Sequence, residues 1–258
     1  MRASDRFAGS RTAIGMQFEI VRLAPNEERS ESSRLESAWV LLRGAARLEY
    51  GGERASVSRT DVFRELPTAL HLGPSEPVVV RAGAREVEFA VVRVKNARRF
   101  PARLFQPREL KTEFRGEGLV QGACLREVRL VFDLNERPKA NLVLGEVVNY
   151  PGRWSSYPPH HHVQPELYHY RFTAESGYGH AELGEEVAKV RSNDTVCIPP
   201  GLDHAQVAAP GYGMYYLWAI RHLVRRPYKG FTFSKQHAWA LERKNQGWKP
   251  RSTRRARR

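Results

Sequence analysis

An all-β fold of two tandem small barrels, ending in a basic tail, is what this 258-residue sequence predicts. Three observations predict it. Short runs of alternating apolar and polar residues recur through both halves, with turn signals about 8–12 residues apart. Helical periodicity is scarce until residues 234–244. A stretch without clear period, residues 98–121, separates two halves of similar size and texture.

The elements follow in order. Residues 38–42 (AWVLL) read as a strand that stops at Arg43-Gly44, residues 45–50 alternate, and Gly51-Gly52 is a hairpin signal. Val57, residues 61–63, the run 77–80 and residues 87–94 continue the pattern. The connection holds Pro101, Pro107 and Gly116. It sets a first barrel over 1–110, a second over 111–242 and a tail over 243–258. In the second half, 125–132, 141–148 and 168–172 read as strands and 180–190 as a hairpin. Residues 195–198 run into the turn Pro199-Pro200-Gly201, and 212–220 close the pattern before a short helix over 234–244.

Apolar and charged fractions of 41% and 27% are those of a soluble globular chain with ample material for a core. The N-terminus lacks a continuous apolar segment, so no secretory signal is expected. No stretch approaches the roughly 18 apolar residues that span a bilayer. Cys124 and Cys197 lie far apart and read as buried thiols in a reducing compartment, which points to the cytoplasm. The net charge of +14 is concentrated at one end. Residues 221–258 hold thirteen Lys or Arg and one acid, a net of +12, which leaves 14 − 12 = +2 for the body. The tail therefore reads as disordered and solvated, with a weak, salt-sensitive contact to RNA or another polyanion as its alternative role. The body has no interleaved basic and aromatic face, which argues against a nucleic-acid enzyme.

The stretch WSSYPPHHHVQPELYHYRF, residues 154–172, carries the chemistry. In a strand His160 and His162 face one side and His161 the other. Glu166 returns an oxygen ligand towards the same place if a short turn intervenes. His204 follows the Pro199-Pro200-Gly201 turn, which aims it inward. Three imidazoles and a carboxylate suit one divalent ion, Zn, Fe, Mn, Ni or Co, with positions left open for substrate or water. HxHxxxE, a strand-rich spacer and then PxGxxH have the form of the two cupin motifs, so the fold class is a bicupin of jelly-roll type. The first half has no matching motif, and His71 reads as an ordinary strand histidine.

The residues around the motif go further. Residues 141–146 (NLVLGE), 151–160 (PGRWSSYPPH), 166–171 (ELYHYR), 211–218 (GYGMYYLW) and 39–46 (WVLLRGAA) together resemble the 5-deoxy-glucuronate isomerase family, bicupin enzymes of bacterial inositol catabolism. The likeness covers about residues 35–220 and is densest over 141–218. It implies an aldose–ketose isomerisation of 5-deoxy-glucuronate to 5-dehydro-2-deoxy-gluconate, with His160, His162, Glu166 and His204 as ligands. His161 and Val163 depart from the family's usual lysine and aspartate, and the 162–166 segment is shorter. These changes fall on the pocket rim, so they bear on substrate identity rather than on the ligand set.

Such a reaction needs a general base and an arginine for the substrate carboxylate. Glu146 is the candidate base, or else a partner of a ligand histidine. Strand parity with Glu166 turns Tyr168 and Tyr170 inward, and His169 and Arg171 outward unless a bulge intervenes. Tyr168 is therefore a candidate catalytic residue; Tyr216 is a second one, and Arg153 and Arg171 are candidate substrate contacts. A metal-dependent oxygenase and a non-enzymatic sugar-binding bicupin are the alternatives on the same ligand set. A small sugar acid is the expected partner, with homo-oligomerisation left open.

Overall fold

The computed structural model describes residues 14–249. The first half contains β1 (Met16–Leu23), β2 (Glu28–Ser32), β3 (Glu36–Tyr50) and β4 (Glu53–Arg59). It continues with β5 (Ala69–Leu72), β6 (Pro77–Ala82), β7 (Val87–Val94) and β8 (Arg103–Phe105). Its shape turns on β3, which belongs to two sheets. The first part of β3 pairs with β7 and β5, and the part after Gly44 pairs with β4 and β6. A register shift between Leu41 and Arg43 and a left-handed Gly44 (φ +100°) make the corner. A Cβ on Gly44 would stand 2.6 Å from the Glu86 carbonyl, so no other residue fits there. Gly51 and Gly52 both take positive φ, as a two-residue hairpin joining β3 to β4 requires. Trp39, Leu41, Leu48, Val80 and Phe89 fill the space between the sheets.

The second half repeats the plan. Its strands are β9 (Glu113–Arg115), β10 (Arg126–Phe132), β11 (Leu142–Asn149), β12 (Trp154–His161), β13 (Glu166–Phe172) and β14 (Tyr178–Leu183). They are followed by β15 (Glu186–Arg191), β16 (Thr195–Ile198), β17 (His204–Ala208), β18 (Met214–Arg221) and β19 (Thr232–Phe233). One sheet runs in the order β16-β13-β18-β11-β10-β9, the other β15-β14-β17-β12-β19. The expected pair of small jelly-roll barrels is thus present, each built as two facing sheets. The expected helix near the C-terminus is a 3₁₀ turn over Lys235–Leu241. No side-chain cap holds its start and Ala240 is its one buried residue, so little favours a longer helix. Residues 243–249 of the tail run beside the connection, where Gln246 accepts from the Gln121 backbone and donates to the Gly118 carbonyl. The expected disorder of the tail beyond residue 249 lies outside the described residues. No helix among them is long and apolar enough to cross a membrane.

The halves pack sheet against sheet. Met16, Phe18, Val40, Ala90 and Val92 of the first meet Leu142, Leu144, Leu167, Leu217 and Ala219 of the second in one apolar layer. Strands β7 and β11 are consequently buried along their whole length, one face in their own barrel and one in this layer. Glu36 and His71 are buried at one end of the layer and are both hydrogen-bonded. Glu36 accepts from the Asn141 and Leu142 backbone N–H groups at 2.7 and 3.1 Å and from Asn96 at 2.7 Å. Arg137 donates through Nε to His71 Nδ1 at 2.8 Å, so His71 carries its proton on Nε2 and gives it to Glu36 at 2.9 Å.

Burial lowers the pKa of His71, and the Glu36 carboxylate does not reverse this. Unfolded, the same imidazole takes a proton near pH 6.5. Below that value the unfolded chain binds more protons than the native one, so stability is full above about pH 6.5 and falls as the pH drops. Urea midpoints should be lower at about pH 5.5 than at about pH 7.5, and less separated in His71→Gln. An unchanged separation in the variant would remove His71 from the effect.

Candidate metal centre and its pocket

Three elements bring the histidines and Glu166 together. Strands β12 and β17 pair so that His160 stands directly opposite His204. The turn between β16 and β17 places Gly201 in the left-handed region (φ +78°), and its N–H donates to the His162 carbonyl at 2.8 Å. This bond fastens the loop after β12 to the turn that delivers His204. Glu166 opens β13, with Tyr168 and Tyr170 on the same inward face. His169 and Arg171 face the other barrel: His169 lies 4.8 Å from the Phe18 ring, and Arg171 pairs with Glu88 at 3.0 Å.

Glu166 Oε2 lies 3.0 Å from His162 Nε2 and 3.3 Å from His204 Nε2. One donor atom from each of these three residues falls within 4.8 Å of the others. His160 adjoins them, its ring 4.4 Å from that of His204 and 6.4 Å from that of His162. The ring of His161 points elsewhere, with Nδ1 2.7 Å from Asp203. Burial would raise the Glu166 pKa, but His162 and His204 hold its carboxyl down at about 2. Burial also acts against a charged His204, and Glu166 outweighs it, so that pKa is raised. His160, desolvated and beside His204, is held at about 3 and stays neutral.

All four side chains are buried, and His204 Nε2, although 3.3 Å from the Glu166 carboxylate, makes no hydrogen bond. Buried polar atoms of this kind need a partner. A divalent cation taking imidazole nitrogens and a carboxylate oxygen fits them, and the donor set is one that Zn, Fe and Mn accept.

A cavity of about 500 Å³ opens onto the cluster. Tyr168 and Tyr216 form part of its wall, and the Tyr216 hydroxyl meets Ser155 Oγ at 2.5 Å. Burial pushes both phenols above their ordinary pKa, so they keep their protons. Across the mouth, Phe231 packs 4.2 Å from the His160 ring and Tyr228 5.0 Å from the His162 ring.

Three expected site residues are elsewhere. Glu146 is on the outer face of β11, where it binds Arg59 through both oxygens at 2.7 and 2.8 Å and accepts from Tyr215 at 2.7 Å. It is neither the pocket's base nor a partner of a ligand histidine. Arg171 is held by Glu88 and Asn193 on the outward face of β13, with no bulge to turn it. Arg153 sits in the turn before β12, outside the cavity lining, its carbonyl accepting from Asn149 and Ala208. The cavity arginines are Arg126 and Arg115 instead. A signal for Arg126 is present in the sequence, because it shares strand parity with Val128 and Leu130, which also line the cavity. Tyr228 and Phe231 follow the last long strand of the barrel and carry no periodic signal.

Comparison with known proteins adds four findings. The KduI/IolB family model matches residues 6–240. A 5-deoxy-glucuronate isomerase of Geobacillus kaustophilus is 31% identical over 247 residues, 88% of this chain and 86% of that protein. An IolB-like protein of Salmonella typhimurium superposes with a TM-score of 0.79 at 25% identity, covering 88% of this chain and 90% of the other. The Bacillus subtilis oxalate decarboxylase, a protein with Mn(II) centres, has a TM-score of 0.64 at 11% identity over 90% of this chain and 74% of its own. That likeness is one of fold alone.

Proposed function

The chain belongs to the KduI/IolB family and is a sugar-acid isomerase, and on that premise we propose that it is a metal-dependent cytoplasmic enzyme converting 5-deoxy-glucuronate to 5-dehydro-2-deoxy-gluconate in inositol catabolism. The observation that carries the metal dependence is the buried convergence of His162, Glu166 and His204 on one point, with His160 beside them.

A divalent cation bound there supplies Lewis-acid polarisation of a carbonyl and its neighbouring hydroxyl. The chain's own side chains do the rest. Tyr168 and Tyr216 keep their protons and so act as hydrogen-bond donors to oxygens that gain charge, not as the base. Phe231 and Tyr228 place apolar ring surface against His160 and His162 at the cavity, which lowers the local polarity in which those bonds act. The proton that leaves one carbon passes to an acceptor on the cavity wall, where Asp133 is the carboxylate outside the cluster, and returns from it to the neighbouring carbon while the hydroxyl proton moves to the former carbonyl oxygen.

The test is turnover of 5-deoxy-glucuronate by the purified protein before chelation, after it, and after reloading with Zn, Mn or Fe(II). Product should form, cease when the metal is stripped to trace levels, and return on reloading. Undiminished turnover in the stripped protein would end the metal requirement. Metal with no turnover would end the substrate assignment.

A further inference from the structure

The cavity contains a cation that the protein leaves unpaired. Arg126 reaches the cavity wall from β10, and its hydrogen bond is to a backbone carbonyl, Cys124 O at 2.9 Å. None of the ion pairs among the described residues includes it, whereas its neighbours in sequence and space are matched: Arg129 with Glu127 at 2.9 Å and Arg115 with Glu113 at 2.7 Å. Arg115 is also its direct cross-strand partner in the β9–β10 ladder, and both line the cavity. Like charges opposed in this way destabilise a sheet unless an anion joins them. Burial and then Arg115 push the Arg126 pKa down, which an incoming carboxylate would relieve.

We propose that Arg126, supported by Arg115, is the subsite for the carboxylate of the substrate. This rests on the sugar-acid reading and names the group that fixes the far end of the molecule. Strand β10 is three strands from β13 in the sheet, about 14 Å at ordinary strand spacing. An arginine extended inward covers part of that span, and a six-carbon acid bridges the remainder to the histidine cluster. The planar guanidinium matches a carboxylate bidentately, so it would set which end of the substrate meets the cluster.

The test compares D-glucuronate with uncharged D-glucose as ligands of the metal-loaded full-length protein by calorimetry, alongside kinetics with 5-deoxy-glucuronate. The wild type should prefer the acid by about 30-fold or more, as expected for a charge-assisted pair. Arg126→Gln should lose that preference and raise KM by a similar factor, with metal content unchanged and kcat much less affected. Arg126→Lys should recover part of it. If Arg126→Gln does not fold, Arg126→Lys and Arg115→Gln, the latter at an exposed position, carry the same comparison. Wild-type binding of the two ligands that is equal, or absent for both, overturns the inference. So does turnover of 5-deoxy-glucuronate with a KM in Arg126→Gln within about threefold of wild type, an outcome that leaves the isomerase reading standing. An Arg126-dependent preference for the acid without turnover would keep the subsite and end the isomerase reading.

Discussion

Glu166→Ala should purify with only trace metal and lose about 10³-fold or more of its activity, since a Lewis acid supplies several kcal/mol of transition-state stabilisation. Glu166 is the single anion of the cluster and faces both His162 and His204 within 3.3 Å. Removing it leaves buried imidazoles with no negative charge to balance a divalent cation. Glu166→Gln separates charge from shape. The amide keeps an oxygen donor and similar volume, so if packing alone organised the site it should hold metal nearly as the wild type does. If charge matters, as the depressed Glu166 pKa indicates, the amide variant should bind metal far more weakly. Metal content by atomic emission, with turnover measured on the same samples, distinguishes these. Full metal occupancy in Glu166→Ala would mean that the ion sits elsewhere.

His160 differs from the other three residues of the cluster. Its ring adjoins His204, yet it stands outside the three-residue convergence. The spacing HxHxxxE and the later PxGxxH make all four residues visible in the sequence, because parity along β12 and the glycine turn before β17 are local properties. Local patterns also orient β13 correctly: Tyr168 and Tyr170 face inward with Glu166, and His169 and Arg171 face outward.

Glu146 is not legible in the same way, and β11 shows why. Every residue of this strand is buried, so alternation of apolar and polar side chains cannot say which face is the interior. Leu142, Leu144 and Glu146 do share one face, but it is the face against the first barrel, and Val143 and Val147 are the ones that line the cavity. Gly145, on the cavity parity, leaves room for the Trp218 ring, which a Cβ would meet at 2.3 Å. A one-barrel reading of a strand that serves two barrels takes the wrong side. Arg153 and Arg171 stand out in the sequence by their proximity to the motif, whereas the cavity arginines come from β9 and β10, brought in by sheet order.

That misplaced glutamate leads to the largest stability effect expected in the molecule. Arg59 comes from the first barrel and Glu146 from the second, both side chains have 0% exposure, and two N–H···O bonds of 2.7 and 2.8 Å join them. Arg59 also donates to the Leu41 and Glu65 carbonyls at 3.0 and 2.7 Å, and the Tyr215 hydroxyl donates to Glu146. Arg59→Met removes the partner of a fully buried carboxylate, which should cost about 3–5 kcal/mol in denaturant unfolding. Arg129, 3.9 Å from Glu146 and engaged with the Val62 and Glu65 carbonyls, is too far to replace it fully. The cost comes mainly from leaving a buried charge uncompensated rather than from lost contact area. The double variant Arg59→Met/Glu146→Leu should therefore recover much of the loss, although it removes more hydrogen bonds. A double variant as unstable as the sum of the two single ones would show that the hydrogen bonds dominate instead. Metal content and KM of the folded double variant should match the wild type, because both residues face away from the cavity. A shift in either would mean that the layer between the barrels positions the β13 and β18 residues of the site, with Tyr215 and Tyr216 as the adjacent residues through which it acts.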